Sequence, residues 1–355
     1  YGAALSHWHF ASRFTPGASR LRVYNPRPEE HGWQSTHTII EIISQDMPFL
    51  VDSITMEVNR QGLTVHLIIH PLMRVRRDGE GNLQAIGEQR DEAAGNLESI
   101  IHVEVDRRTD PAHLDALQQG LTRILADVHA AVADWPGMRQ QLADLVGELE
   151  ASPPPIEMEQ AAEDIAFLKW LAAGNFTMLG YREYALVDHI DERTGQSDCV
   201  LRIVPGTGAG ILRETGAEHS IAFSALPPEV KKVATEPRLL VLTKANARST
   251  VHRPGYLDYV GVKRIDQNGK VIGEQRFLGL FTATAYNASP DAIPILRQKV
   301  RKVLDRAELR PESHGGRALS IILEQYPRDE LFQIAPEQLY DVAMGILGLG
   351  ERQRT

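Results

Sequence analysis

Cysteine is almost absent. Cys199 stands alone among 355 residues. No internal disulfide can form, which suits a reducing compartment. Its stretch reads as extended, with no histidine nearby, so the thiol is expected to be buried and inert. Lysine is missing from the first 168 residues. All eight lysines lie at or beyond Lys169, and arginine alone carries positive charge before that point. No apolar run reaches the ~18 residues of a bilayer span, and no signal-peptide pattern opens the chain. Neither Gly-x-Ser-x-Gly nor His-Glu-x-x-His occurs. The net charge is -9, so no global field draws nucleic acid or an anionic membrane. What remains is ordinary: 43 % apolar and 24 % charged, in a length that suggests two domains. The chain starts Tyr1-Gly-Ala-Ala without Met and ends just after an apolar helix, so it reads as a piece of something longer.

The best-signalled stretch is Thr36 to Pro71. Thr38-Ile-Ile-Glu-Ile-Ile-Ser is β-branched, apolar and strand-length. Asp46 is expected to cap a helix and Pro48 to stand in its first turn. Leu50, Ile54 and Val58 recur at four-residue spacing, which gives that helix one apolar face. Gly62 suits the left-handed position that closes it. From Leu63 the period becomes two. Leu63, Val65, Leu67 and Ile69 would face one way, and Thr64, His66, Ile68 and His70 the other. The unit is strand, helix, strand.

Further on, Asp78-Gly-Glu-Gly-Asn predicts a hairpin turn, and Ser99 to Asp106 a strand. A helix from Asp110-Pro111 should end near Asp134, and a second should follow Trp135-Pro136 to about Glu150. Ser152-Pro-Pro-Pro-Ile is a stiff break. The expected organisation is an α+β domain over 1–151, a Pro-rich linker at 152–156, a second α+β domain over 157–310, and a helical segment over 311–355. In the second domain, strands are expected at Phe176–Val187, Cys199–Val204, Leu239–Lys244, Tyr256–Ile265 and Val271–Thr284, an antiparallel meander with flanking helices. A short helix is expected from Ser224. The cationic face of the helix after Ile293 reads as a solvated surface.

Few residues suggest chemistry. Gly206-Thr-Gly-Ala-Gly follows a strand, but Gly210 falls one place early for a dinucleotide fingerprint, and Ile211 to Gly216 leaves no room for its long helix. The His-x-His of Ser6-His-Trp-His-Phe and the pair His66 and His70 have too few ligands in reach for a metal site. The densest polar cluster runs from Thr243 to Tyr256. Lys244, Arg248, His252 and Arg253 could together bind a carboxylate or phosphate. Alternatively they pair internally, with Asp258 or Glu274.

Two resemblances follow from these residues. Asp46-Met47-Pro48-Phe49-Leu50 resembles the Asp-x-Pro-Gly-Leu turn of ACT domains, the small βαββαβ amino-acid-sensing modules. Phe49 stands where their ligand site has glycine, and a phenyl ring would fill the space a ligand needs. The wider runs Thr38 to Pro71, Arg238 to Lys263, Arg276 to Thr282 and Tyr326 to Gln333 are similar to the N-terminal region of the large bacterial NAD-specific glutamate dehydrogenases.

That resemblance implies a fold and a role. The fold is an ACT-like, ferredoxin-type βαβ domain followed by a PAS-like antiparallel-sheet domain with flanking helices. The role is a regulatory and oligomerisation region of a cytoplasmic enzyme that converts L-glutamate and NAD to 2-oxoglutarate and ammonia. Its partners would be its own catalytic domain, other subunits and a small-molecule effector. No cofactor is expected in this segment; NAD belongs to a later catalytic domain, and no catalytic residue carries over. The alternative is a stand-alone module sensing an amino acid or anion.

Overall fold

A computed structural model describes residues 1–90, 92–190, 197–213 and 235–352. The helix expected at Ser224 lies outside them. The described residues form two compact units, Tyr1–Ala133 with Arg248–Gly255, and Asp134–Ala247 with Tyr256–Thr355. Both are α+β with an antiparallel sheet.

The first unit runs α1 (Gly2–Ala11), β1 (Arg20–Tyr24), α2 (Pro28–His31), β2 (Thr38–Gln45), α3 (Leu50–Arg60), β3 (Val65–Ile69), β4 (Leu72–Arg77), β5 (Leu83–Gly87), β6 (Asn96–Val105) and the first half of α4 (Pro111–Ala151). Its sheet order is β1-β2-β6-β4-β5, with β3 also paired to β6. β2 and β3 both run antiparallel to β6 and flank it, so the predicted strand–helix–strand unit is split around a third strand. β2 is buried from Thr38 to Ser44, because both of its faces are covered. Ile43 packs with Phe10, Ala11 and Phe14 on one face. On the other, Ser44 Oγ lies 3.1 Å from His129 Nε2 of α4. Gly120 makes room for the α3–α4 packing: a Cβ there would stand 2.0 Å from Glu57 Oε1. The alternation expected from Leu63 to His70 is interrupted by a register shift between Val65 and Leu67, so Leu67 and Ile69 are exposed.

α4 is one 41-residue helix with Pro136 inside it, not two. The expected break fails because apolar positions continue in helical period on both sides of the proline. Leu117, Leu121, Ile124 and Val128 are buried before it, Met138, Leu142 and Leu145 after it. That packing outweighs the ~3 kcal/mol of an interior proline. Met138, Leu142, Leu145 and Val146 belong to the second unit's core. The Pro-rich stretch at 152–156, where the sequence suggests a boundary, therefore falls within the second unit.

The second unit continues with α5 (Met158–Trp170), β7 (Phe176–Ile190), β8 (Ser197–Ile203), β9 (Ala209–Gly210), β10 (Leu240–Arg248), β11 (Tyr256–Ile265), β12 (Val271–Phe281), α6 (Ala283–Asn287), α7 (Leu296–Ala307), α8 (His314–Gln325), α9 (Arg328–Gln333) and α10 (Pro336–Arg352). The sheet order is β10-β11-β12-β7-β8, with β9 on β7. Its core draws Phe167 and Leu168 from α5, Phe277 and Phe281 from β12, Leu296 and Val303 from α7, and Leu339 and Ala343 from α10. The cationic face of α7 is not simply solvated. Arg297 makes a bidentate pair with Glu163 at 2.7 and 2.8 Å. Lys299 Nζ donates to the carbonyls of Leu331, Phe332 and Ile334, which close α9. No described helix is long and apolar enough to cross a membrane.

Candidate functional site

The turn of residues 46–50 departs from the cap predicted for it. Asp46 does not cap α3: its Oδ1 accepts from Ser99 Oγ at 2.7 Å, and Ser99 Oγ lies 2.9 Å from His70 Nε2. Pro48 precedes the helix rather than standing in its first turn. Phe49 takes the cap position in a left-handed conformation, φ 73°, and its carbonyl accepts from Ser53 N–H at 3.0 Å. Leu50 begins the helix and is buried. Left-handed backbone is where glycine is favoured, so Phe49 holds a conformation that suits the residue it replaces in the expected turn.

The ring of Phe49 packs on His252, with centroids 4.8 Å apart. Residues 248–255, far off in sequence, thus complete the first unit at this turn. His252 N–H donates to Ser53 Oγ at 3.1 Å, and Thr250 Oγ1 donates to Asp127 Oδ2 of α4 at 2.9 Å. Val251 is fully buried. His252 itself has φ 76°, and its Nδ1 is 4.0 Å from Asp52 Oδ2, too long for a hydrogen bond. Burial holds this imidazole below its ordinary pKa, against the pull of Asp52.

The four cationic residues divide between the two units. Arg248, His252 and Arg253 lie in the segment that belongs to the first unit. Lys244 belongs to the second unit. Its Nζ lies 2.6 Å from Asp258 Oδ1 and 2.9 Å from Asp329 Oδ1. Asp258 Oδ2 in turn accepts from Phe281 N–H, and Asp329 from Tyr286 Oη–H. Burial works against the Lys244 charge, but the two carboxylates outweigh it and raise the pKa. Arg248 and Arg253 also have interaction partners. Asp258 was legible as a partner from its closeness in sequence; Asp329 carried no such signal.

The glycine-rich stretch serves packing. A Cβ on Gly210 would stand 2.1 Å from the Leu179 carbonyl, so glycine lets β9 approach β7. Gly210 N–H donates to Asp134 Oδ2 at 2.7 Å, which puts a carboxylate where a phosphate cradle would need open donors. His66 pairs with Asp106 at 2.8 Å.

A third group was missed by the sequence reading. The registers place Arg22 of β1 opposite Glu41 of β2, and Glu41 opposite His102 of β6. Arg22 Nε donates to Glu41 Oε2 at 2.5 Å, and Tyr24 Oη donates to Oε1 at 3.1 Å. His7 of α1 joins from above the sheet: its ring centroid is 6.0 Å from that of His102. Ligand-capable atoms of His7, Glu41 and His102 all lie within 4.8 Å of one another, and all three residues are buried. The partner of His7 is thus not His9, which is exposed, but residues 34 and 95 positions away.

The described residues define an α+β class of chain, with a strand–helix–strand unit split around a third strand. A family model described as glutamate dehydrogenase, ACT1 domain matches residues 1–121, and one described as glutamate dehydrogenase, helical motif 1 matches residues 293–352. The NAD-specific glutamate dehydrogenase of Halomonas elongata is 43 % identical over 100 % of this chain, and that of Pseudomonas aeruginosa 36 % over 99 %. The Mycobacterium tuberculosis protein of the same name is 29 % identical over 89 %. The chain is identified with the N-terminal region of the NAD-specific glutamate dehydrogenase family. It spans 22 % of the length of the first two relatives and 18 % of the third.

Proposed function

We propose that the chain is the regulatory and oligomerisation region of a long NAD-dependent glutamate dehydrogenase and carries no catalytic residue of its own. The coverage supports this reading most directly. Relatives named NAD-specific glutamate dehydrogenase match nearly all of this chain with about a fifth of their own length. The parent enzyme, cytoplasmic, would oxidise L-glutamate with NAD to 2-oxoglutarate and ammonia, NAD being held in a catalytic domain outside these residues. The chain's partners would be that domain and other subunits. A PAS-like assignment for the second unit is supported by its antiparallel sheet, order β10-β11-β12-β7-β8, with helices packed on it.

Arg248, His252 and Arg253 lie in the segment that reaches the turn of Asp46 to Leu50, and there they would meet a small anion such as a dicarboxylate. The test compares the parent enzyme with a version lacking residues 1–355, by mass in solution and by glutamate oxidation with and without amino acids and dicarboxylates. The expected result is preserved chemistry with changed assembly and lost effector response. Unchanged assembly and kinetics would overturn the reading, as would saturable NAD binding by this chain in calorimetry. A melting shift with ligand in a chain that joins no enzyme would instead favour the stand-alone sensor.

A further inference from the structure

We infer that His7, Glu41 and His102 form a site for a divalent transition-metal ion of the zinc type. It goes beyond the regulatory reading, and neither depends on the other.

Three elements converge there. α1 supplies His7, β2 supplies Glu41 and β6 supplies His102. Strand alternation keeps Glu41 and His102 on the face that α1 covers, since Ile43, two residues from Glu41, packs against Phe10. His102 Nδ1 stands 3.8 Å from Glu41 Oε1. That is too long for a hydrogen bond. Two ligands each ~2.0–2.1 Å from one tetrahedral ion keep about 3.4 Å between them, so a shift of a few tenths of an ångström brings both into range. Two imidazoles on such an ion place their ring centres about 5–6 Å apart, and these stand 6.0 Å apart.

The orphaned atom is the independent observation. His7 is 9 % exposed, yet its Nε2 is buried with no hydrogen-bond partner. A buried polar atom left this way destabilises the fold unless something satisfies it.

The surroundings match an outer shell. His102 Nε2 lies 3.4 Å from Glu104 Oε1, the carboxylate–histidine arrangement that directs the other ring nitrogen to a metal. Arg22 and Tyr24 hold Glu41 from the far side and fix its orientation. Two nitrogens and one oxygen favour zinc, nickel or copper over magnesium or calcium, which want oxygen. Arg22 already offsets the Glu41 charge, which also weighs against a hard cation. Three protein ligands leave a fourth position. A pocket of about 360 Å³ adjoins His7 and His102, lined by Trp8, Ile69, Pro71 and Met73, and would admit water or a small ligand there.

The test uses the whole 355-residue chain. Zn²⁺ affinity is measured by competition with a chromogenic chelator, and geometry by the visible bands of bound Co²⁺. The expected result is one tight equivalent and the bands of a four-coordinate ion. His7→Asn should remove both, and circular dichroism checks that the variant keeps its fold. Glu104→Gln should weaken binding ~10–100-fold, as loss of an outer-shell partner does. His9→Asn, at an exposed histidine, should change nothing. Binding that is equal in wild type and His7→Asn, or that falls with His9→Asn instead, would overturn the assignment. So would Co²⁺ spectra of six-coordinate, water-rich character.

Discussion

At position 49 a phenylalanine occupies backbone that favours glycine, φ 73°, and its half-buried ring lies on His252. Two effects compete there. The ring contact stabilises the turn, and truncating a half-buried phenyl should cost about 1–2 kcal/mol, below the 3–5 of a fully buried one. The left-handed backbone costs a residue with a Cβ about 1–2 kcal/mol. Phe49→Ala loses the contact and keeps the strain. Phe49→Gly loses the contact but relieves the strain, against an entropic loss of roughly 0.5–1 kcal/mol. Glycine should therefore be the milder substitution, reversing its usual rank below alanine. Thermal melts of the two variants decide this; a glycine variant clearly less stable than the alanine one would mean the backbone at 49 is not strained.

At the scale of an element, α5 presents a buried face that includes one carboxylate. Ala161, Ile165 and Leu168 pack inward as their spacing predicts, and Asp164 stands among them, 3 % exposed. Its Oδ1 accepts from Gln160 Nε2 at 2.8 Å. Burial pushes the Asp164 carboxyl up from 3.8 to about 6. The folded state therefore holds this proton more tightly than the unfolded chain. Its contribution to stability is complete below about pH 4 and lost as pH rises through about 6. The loss amounts to roughly 2–3 kcal/mol, at 1.36 kcal/mol per pH unit. Asp164→Asn keeps the shape without the charge. It should melt higher than wild type at pH 8 and about level at pH 4. A variant that melts lower at pH 8 would show that the ionised carboxylate is favoured after all.

For the whole molecule, the chain does not divide where its prolines suggest. The first unit includes Arg248–Gly255, which brings the fully buried Val251 and the hydrogen bonds to Ser53 and Asp127. Meanwhile Met138, Leu142, Leu145 and Val146 of α4 belong to the second unit's core. A fragment of residues 1–151 would lack the first set and expose the second. Burying one valine is worth about 1.5–3 kcal/mol by itself. The fragment should melt below the full chain and self-associate in size-exclusion chromatography. A monomeric fragment melting with the full chain would show that residues 248–255 add nothing to the first unit.

Much of the fold was legible because it rests on local periodicity. The β-branched apolar run of Thr38 to Ser44, the four-residue spacing from Leu50 to Val58, and the turn at Asp78-Gly-Glu-Gly-Asn each name an element without reference to the rest of the chain. Register and side-chain partners are different, since they depend on which strands lie side by side. Arg22, Glu41 and His102 line up only because β2 pairs with β1 and β6 at once. Asp329 reaches Lys244 across 85 residues. The segment around His252 meets Phe49 across about 200. Helix continuation through Pro136 was decided the same way, by apolar contacts on both sides that a local proline rule does not count. The sequence by itself determined most of the elements and the family. Tertiary packing alone decided which charges are paired, which segment completes the first unit, and which three residues converge beneath α1, because those outcomes depend on contacts between residues far apart along the chain.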